Sequence, residues 1–436
     1  VENPGSDRPG PSLSSESKKM KTDIKKLAFL LLPILPLLQA CGGAGAWEGT
    51  VTDSAGVSIV LNTATPMWRA GDAWTASEDL RIGTVAGDPE LQFGQISGMD
   101  VAPDGTVYVL DMQARELRAY DAQGNYLRTF GGPGAGPGEL SPQALGVFVD
   151  PAGDLLAIDL GNQRVNRYHS DGTPAGSFRV DISAGVPTRW EMSEDGRLMA
   201  QLRGLNVPGM AALAEGDPIV VYDTTGVVVD TLTVLPKGQT LEGTTEQQLS
   251  MRVFAPEPLW DLAPNGTIYT AMNDRFQILV SDPDGTLIRI IRKDVERKPV
   301  EEADRNAILR AMREQMAQVG ASPAQIEQII QGIGFADFYP AFGQMFVGPG
   351  GDLWVQRIRS AREMAAGAEE AVEFDAQNIG SPEWEIYDQE GRYLGVVTLP
   401  ERFAPLKTLG DDLYGVWRDE LDVNYVVRIG IDRPAE

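Results

Sequence analysis

The chain is poor in the residues that carry most enzyme chemistry. It has one cysteine, Cys41, and one histidine, His169, in 436 residues. A lone cysteine rules out an intramolecular disulfide, and with the cysteine near the N-terminus a Cys/His catalytic pair is excluded from the body of the chain. His169 sits in the turn Tyr168-His-Ser-Asp-Gly172, where a solvated surface role is expected, and a histidine-built zinc centre cannot be assembled from one residue. Basic residues are also scarce: 37 Lys and Arg face 62 Asp and Glu, for a net charge of −25. That balance repels phosphate backbones and excludes nucleic acid as a partner. Long apolar runs are missing too. The longest, Leu27–Leu38, is interrupted by Pro33 and Pro36 and is too short to cross a bilayer as a helix.

That short run has a purpose of its own. Met20 is followed by Lys21, Lys25 and Lys26, then the apolar stretch, then Leu38-Gln39-Ala40-Cys41-Gly42. A basic patch, a short apolar core and a small-residue exit read as a secretory signal. Residues 1–40 are therefore expected to be a polar start and signal peptide, and 41–55 a flexible tether led by Gly42–Gly45.

Beyond residue 55 one phrase recurs: apolar run, tight turn, apolar run. It appears at Val101–Val109, Val149–Ala157, Met192–Ala200, Leu262–Thr270, Val347–Val355 and Lys407–Gly415. After each of the first five comes a second hairpin, marked in most copies by Tyr-Asp-x-x-Gly, as in Tyr120–Gly124, Tyr222–Gly226 and Tyr387–Gly391. Aspartate makes local backbone bonds in such turns and glycine takes the positive φ. Two consecutive hairpins make four strands, one propeller blade, so the expected fold is an all-β six-bladed β-propeller over residues 56–436. The sixth copy runs out after three strands. Leu80–Gly83 matches Arg128–Gly131 in its position ahead of an innermost strand, so an N-terminal strand is expected to complete blade six. Val57–Leu61 is the other candidate. Between blades four and five the pattern changes. Ile308, Met312, Met316 and Val319 recur at helical spacing, and Ser322-Pro323 opens a second helix through Ile330, so a small helical hairpin insertion is expected at about 300–335. Gly204–Gly216 and Ala361–Gly380 read as long loops.

Two stretches carry family resemblances. Leu38–Gly42 resembles the bacterial lipobox, which implies that Cys41 is lipidated and anchors the chain to a membrane of the cell envelope; Gly42 after the cysteine points to the outer membrane, facing periplasm or exterior. Phe130–Leu140, Gly146–Gly153 and Asp159-Leu-Gly-Asn-Gln-Arg-Val165 resemble an NHL repeat, and the chain as a whole resembles the six-bladed propeller lipoproteins of bacteria. The resemblance implies a fold far more than a function, since propellers host binding modules and unrelated enzymes alike.

Candidate site residues fall into two groups. Arg115, Arg164, Arg203, Arg275, Arg357 and Arg418 each follow the second strand of their blade. On one rim of an acidic protein they would form an anion-binding ring, and the bland alternative is local pairing with carboxylates. Asp100, Glu191 and Asp261 each lie five residues before their turn glycine. If that position faces the channel, three carboxylates would hold an oxygen-ligated ion such as Ca²⁺; the alternative is structural pairing, favoured because Phe148, Phe346 and Leu406 hold the same register in the other blades. Trp190 and Trp260 are expected to pack between blades. The Gly-rich run Gly131–Gly138 lacks the Lys-Ser/Thr of a phosphate loop and serves as a connection. The expected function is a lipid-anchored binding or scaffolding module, without a required cofactor, for a protein, peptide, glycan or small anion. The alternative is a metal-dependent hydrolase or lyase.

Overall fold

The computed structural model describes residues 46–434, apart from 70, 181–184, 205–215, 246–247, 319, 361–362 and 364–379. Cys41, the signal segment and most of the two long loops lie outside the described residues. Six four-stranded antiparallel units follow one another around a central channel. Their innermost strands are Ile96–Val101, Ala144–Val149, Val186–Met192, Pro258–Leu262, Met345–Val347 and Phe403–Leu409. In the first four blades the turn glycine after the innermost strand (Gly105, Gly153, Gly196, Gly266) has φ between 83° and 86°, a conformation that glycine adopts without strain. Second strands such as Val107–Asp111 and Leu155–Asp159 are buried throughout, because neighbouring blades cover both faces.

The ring closes as expected. Thr75–Ile82 pairs antiparallel with Asn424–Asp432, matching Ile82 to Val426 and Arg81 to Val427. Val57–Asn62 does something else. It runs parallel to Leu287–Lys293, the outermost strand of blade four, and Thr50–Ser54 pairs with it in turn, widening that blade to six strands. The stretch expected to be tether thus already contains a strand at Thr50–Ser54. Between these two attachments, the Met67 and Trp68 amides donate to the Tyr393 and Leu394 carbonyls of blade five. The segment from Thr50 to Ile82 is a belt across blades four, five and six. Asn62 is its buckle: buried, it donates through Nδ2 to the Gly391 carbonyl at 2.9 Å and accepts at Oδ1 from the Tyr393 amide at 2.8 Å and Trp47 Nε1 at 2.9 Å.

The helical insertion is also as expected: α1 spans Glu302–Gln318 and α2 spans Pro323–Gln331. Ser322 caps α2 in a reciprocal box with Gln325, and Pro323 occupies the first turn. Ile308 is fully buried against Phe254, Val300 and Tyr339. The periodicity did not foretell where the insertion returns. Ile333–Phe335 pairs parallel with Gln248–Val253, which forms a hairpin with Leu241–Thr245, so a small three-stranded sheet joins the segment before blade four to the segment after it.

Candidate functional site

The central channel encloses a cavity of about 640 Å³ lined by all six innermost strands. Four of these strands carry a one-residue bulge, at Ser97, Leu145, Thr188 and Leu406, and each bulged residue lines the cavity. A bulge interrupts the pairing of its strand and re-aims the extra side chain.

At the end nearer the Asp-Gly turns, one register supplies a ring of six side chains. Asp100, Phe148, Glu191, Asp261 and Phe346 stand opposite Tyr108, Leu156, Met199, Tyr269 and Trp354 of their second strands. In blade six the matching residue is Lys407, opposite Tyr414, and not Leu406. The physical reason is the turn. Thr408 pairs with Leu413 around four residues, where Val101 and Val107 and the matching pairs of the other blades enclose five, and Leu406 becomes the bulge. Arg189, two residues before Glu191, lies on the same face of its strand.

The three predicted carboxylates therefore share the channel, but cations and amides already engage them. Asp100 Oδ1 lies 3.0 Å from Lys407 Nζ, and its Oδ2 accepts the Val149 amide of the next blade at 2.8 Å. Asp261 repeats the arrangement: Oδ1 accepts from Arg189 at 2.5 Å, and Oδ2 accepts the Val347 amide of its next blade at 2.6 Å. These are staples between adjacent innermost strands. Arg189 also donates to the Trp260 carbonyl and lies 5.0 Å over the Trp260 ring, itself fully buried with Nε1 donating to Gln201. Trp190 stacks on Tyr222. Among the described residues no group of three or more His, Cys, Asp or Glu is arranged to hold a metal ion.

Glu191 differs from the two aspartates. Its one recorded bond is a long one, 3.4 Å from Arg189, and 29% of its side chain remains exposed inside the cavity. Burial pushes its carboxyl up to about 6, opposed by Arg189 and reinforced by Asp261. A carboxyl raised on folding holds its proton while the unfolded chain ionises, so stability falls as pH rises through the interval from the ordinary glutamate value to about 6. Glu191→Gln is expected to stabilise the fold by about 1–2 kcal/mol above that interval and by nothing below it. Melting temperatures of both proteins across acidic and neutral buffers check this, and a gain that is constant with pH would refute it.

The six arginines do not form one register. Arg115 takes a turn position at φ 59°, corresponding to Gln163 and not to Arg164. Among the described residues Arg115 makes no ion pair. Arg164 fastens the Gly-rich connection, donating to the carbonyls of Ala135, Gly136 and Glu139. Arg203 is buried and pairs with Asp217 and Glu257. Arg275 is exposed beside Asp274. Arg357 binds Glu383 and Glu385, each at 3.0 Å. Arg418 sits at the end of its strand, paired in the ladder with Asn424. The loops on this rim are held by Asp111 and Asp159: Asp111 accepts amides from Gly94, Gln95, Gln113 and Ala114, and Asp159 accepts from Ser141 and Asn162. His169 is exposed and pairs with Asp154 at 2.9 Å.

Two site residues escaped the sequence reading, Arg189 and Lys407. Alternation along the strand would have found Arg189 once Glu191 was placed. The shortened turn hid Lys407.

No protein-family model and no curated protein sequence matches the chain. Solved structures do. A protein of Bacteroides fragilis classed as exported superposes with a TM-score of 0.50 at 14% identity, covering 86% of this chain and all of the other. A streptogramin B lyase gives 0.41 at 10% identity, over 82% of this chain and 98% of its own. A gluconolactonase from Xanthomonas campestris gives 0.41 at 12%, over 91% and 99%. At 14% identity the likeness to the first is one of fold, and the strand order makes the chain a six-bladed β-propeller.

Proposed function

We propose that this protein is an exported, lipid-anchored binding propeller that holds a small polar ligand in its channel. The observation that carries the reading is the cavity of about 640 Å³, whose lining keeps Glu191 and Lys407 partly exposed and incompletely bonded while the neighbouring groups are saturated. Its volume lies within the range of small-molecule sites. The rim arginines offer less, since Arg164, Arg203, Arg275 and Arg357 spend donors on carboxylates or carbonyls within the protein. The anchor rests on Cys41 behind a short apolar segment.

Thermal shift against a library of small amines, carboxylates, sugars and zwitterions tests the channel. A ligand at a hundredfold excess over its Kd stabilises by about 2.7 kcal/mol. Leu145 is 43% exposed and lines the cavity, so Leu145→Trp should abolish the shift without unfolding the ring. A ligand that stabilises both proteins equally places its site elsewhere. Cys41→Ser is expected to move the protein from the membrane to the soluble fraction, and unchanged fractionation refutes lipidation.

A further inference from the structure

The ring of six channel side chains has an internal symmetry. In a six-bladed ring, blade three faces blade six and blade two faces blade five. Glu191 therefore stands across the channel from Lys407, and Phe148 across from Phe346. One diameter ends in a carboxylate and an ammonium, and the next ends in two aromatic rings. The remaining diameter joins Asp100 and Asp261, the two stapled carboxylates.

Spare bonding capacity lies on the charged diameter alone. Asp100 and Asp261 each accept a backbone amide and a cation, and their side chains are 4% and 13% exposed. Arg189 commits both terminal nitrogens, to the Trp260 carbonyl, Asp261 and Glu191. Among the described residues Glu191 accepts a single long bond, from Arg189, and no backbone amide. Among the described residues Lys407 Nζ has one partner, Asp100, and 37% of its side chain is exposed, which leaves donors for a second. Phe346 is held rigid by stacking on Trp354 and an edge contact with Trp384.

We propose that the channel ligand is a small zwitterion, an amino acid or short peptide, with its ammonium on Glu191, its carboxylate on Lys407, and its apolar part between Phe148 and Phe346. This rests on the channel-binding reading above and narrows it. A neutral sugar satisfies neither end of the charged diameter with an opposite charge, and a simple anion or cation leaves one end facing its own sign or none. In a cavity of restricted solvent such unpaired ends cost more than they do in water.

The test is calorimetric titration of the whole protein with L-phenylalanine, alanyl-phenylalanine and glycyl-glycine, each beside its N-acetylated and C-amidated form. At least one free zwitterion is expected to bind, and blocking either end to weaken it about tenfold or more. Glu191→Gln should erase the penalty for N-acetylation while keeping that for amidation, and Lys407→Met should do the converse. Circular dichroism confirms that both variants remain folded. Equal binding of free and blocked forms overturns the proposal. So does the failure of every free zwitterion at millimolar concentration when another library member shifts the wild type and not Leu145→Trp; the channel reading then survives and the zwitterion does not. If nothing in either set binds, both fall.

Discussion

A chain that begins at Thr84 is expected to lose its cooperative fold. The truncation removes Thr75–Ile82, which forms the outermost strand of blade six through seven paired residues. Ile82 is 2% exposed and joins a core with Val101, Tyr120, Tyr414 and Val426, residues drawn from blades one and six. Leu80 and Ile82 also pack against Gly124, in the outer turn of blade one. Burying one such side chain stabilises by about 1.5–3 kcal/mol, and the lost strand exposes a full row of backbone donors and acceptors on Asn424–Asp432. Together these reach about 5 kcal/mol or more, comparable with the whole stability of a domain. A chain beginning at Asp72 keeps this strand and loses the belt over blades four and five, including the bonds of Asn62, Met67 and Trp68, so it should fold with a lower melting temperature. A synthetic peptide of residues 75–83 added to the shorter chain should restore part of the transition. If the chain from Thr84 melts within a few degrees of the full protein, strand closure is dispensable and the argument is wrong.

Glu385→Ala is expected to be the most damaging single substitution outside the ring closure. Glu385 lies 9% exposed on the third strand of blade five and accepts four hydrogen bonds from three groups: Lys293 Nζ at 2.8 and 2.9 Å, Arg357 Nε at 3.0 Å and the Tyr387 hydroxyl at 2.7 Å. Lys293 comes from the outermost strand of blade four, so this carboxylate bonds two blades together. Burial holds the Lys293 ammonium below its ordinary value, and the Glu385 carboxylate offsets part of that shift. Burial and the same carboxylate push the Tyr393 hydroxyl up to about 12. Removing Glu385 leaves Lys293 buried without its counter-charge, at a cost of about 3–5 kcal/mol. Lys293→Met is expected to cost less, because Arg357 still faces the carboxylate. The double variant Lys293→Met/Glu385→Leu should recover part of the loss, since no uncompensated ammonium remains. Urea midpoints rank the three, and a loss below about 1 kcal/mol for Glu385→Ala would show the cluster to be well hydrated.

The Glu385 cluster was not visible in the sequence to the degree that the fold was. The hairpin phrase reports each blade because its turn glycines and alternating apolar residues are local requirements, written within ten residues. The match of Leu80–Gly83 to Arg128–Gly131 placed the closing strand because both precede an innermost strand. The channel depends on something less local. Asp100, Glu191 and Asp261 could be aligned by counting back from a glycine, and the structure does bring them to one ring. Their partners are another matter: the Val149 and Val347 amides come from adjacent blades, and backbone groups leave no mark in composition. Lys407 fell out of register because one turn is a residue shorter, an error that counting cannot detect. The arginines show the reverse failure. They recur at similar distances along the sequence, yet small differences in strand end and turn length send Arg203 into a buried pair and Arg115 to the surface of a turn.

The belt has a consequence for how the molecule is made. Asp79 pairs with Arg428 across 349 residues of chain, and Asn62 bonds Tyr393 across 331. The segment that completes the ring emerges first during synthesis and meets its partners last. Until then Thr75–Ile82 is an unpaired strand, while Val57–Asn62 has its hairpin partner Thr50–Ser54 but lacks blade four, at the stage when strand edges aggregate most readily. Such distant pairing is slow to form. Blades one to three can assemble locally in the meantime, so final locking is set by arrival of Asn424–Asp432 and not by the speed of any single hairpin.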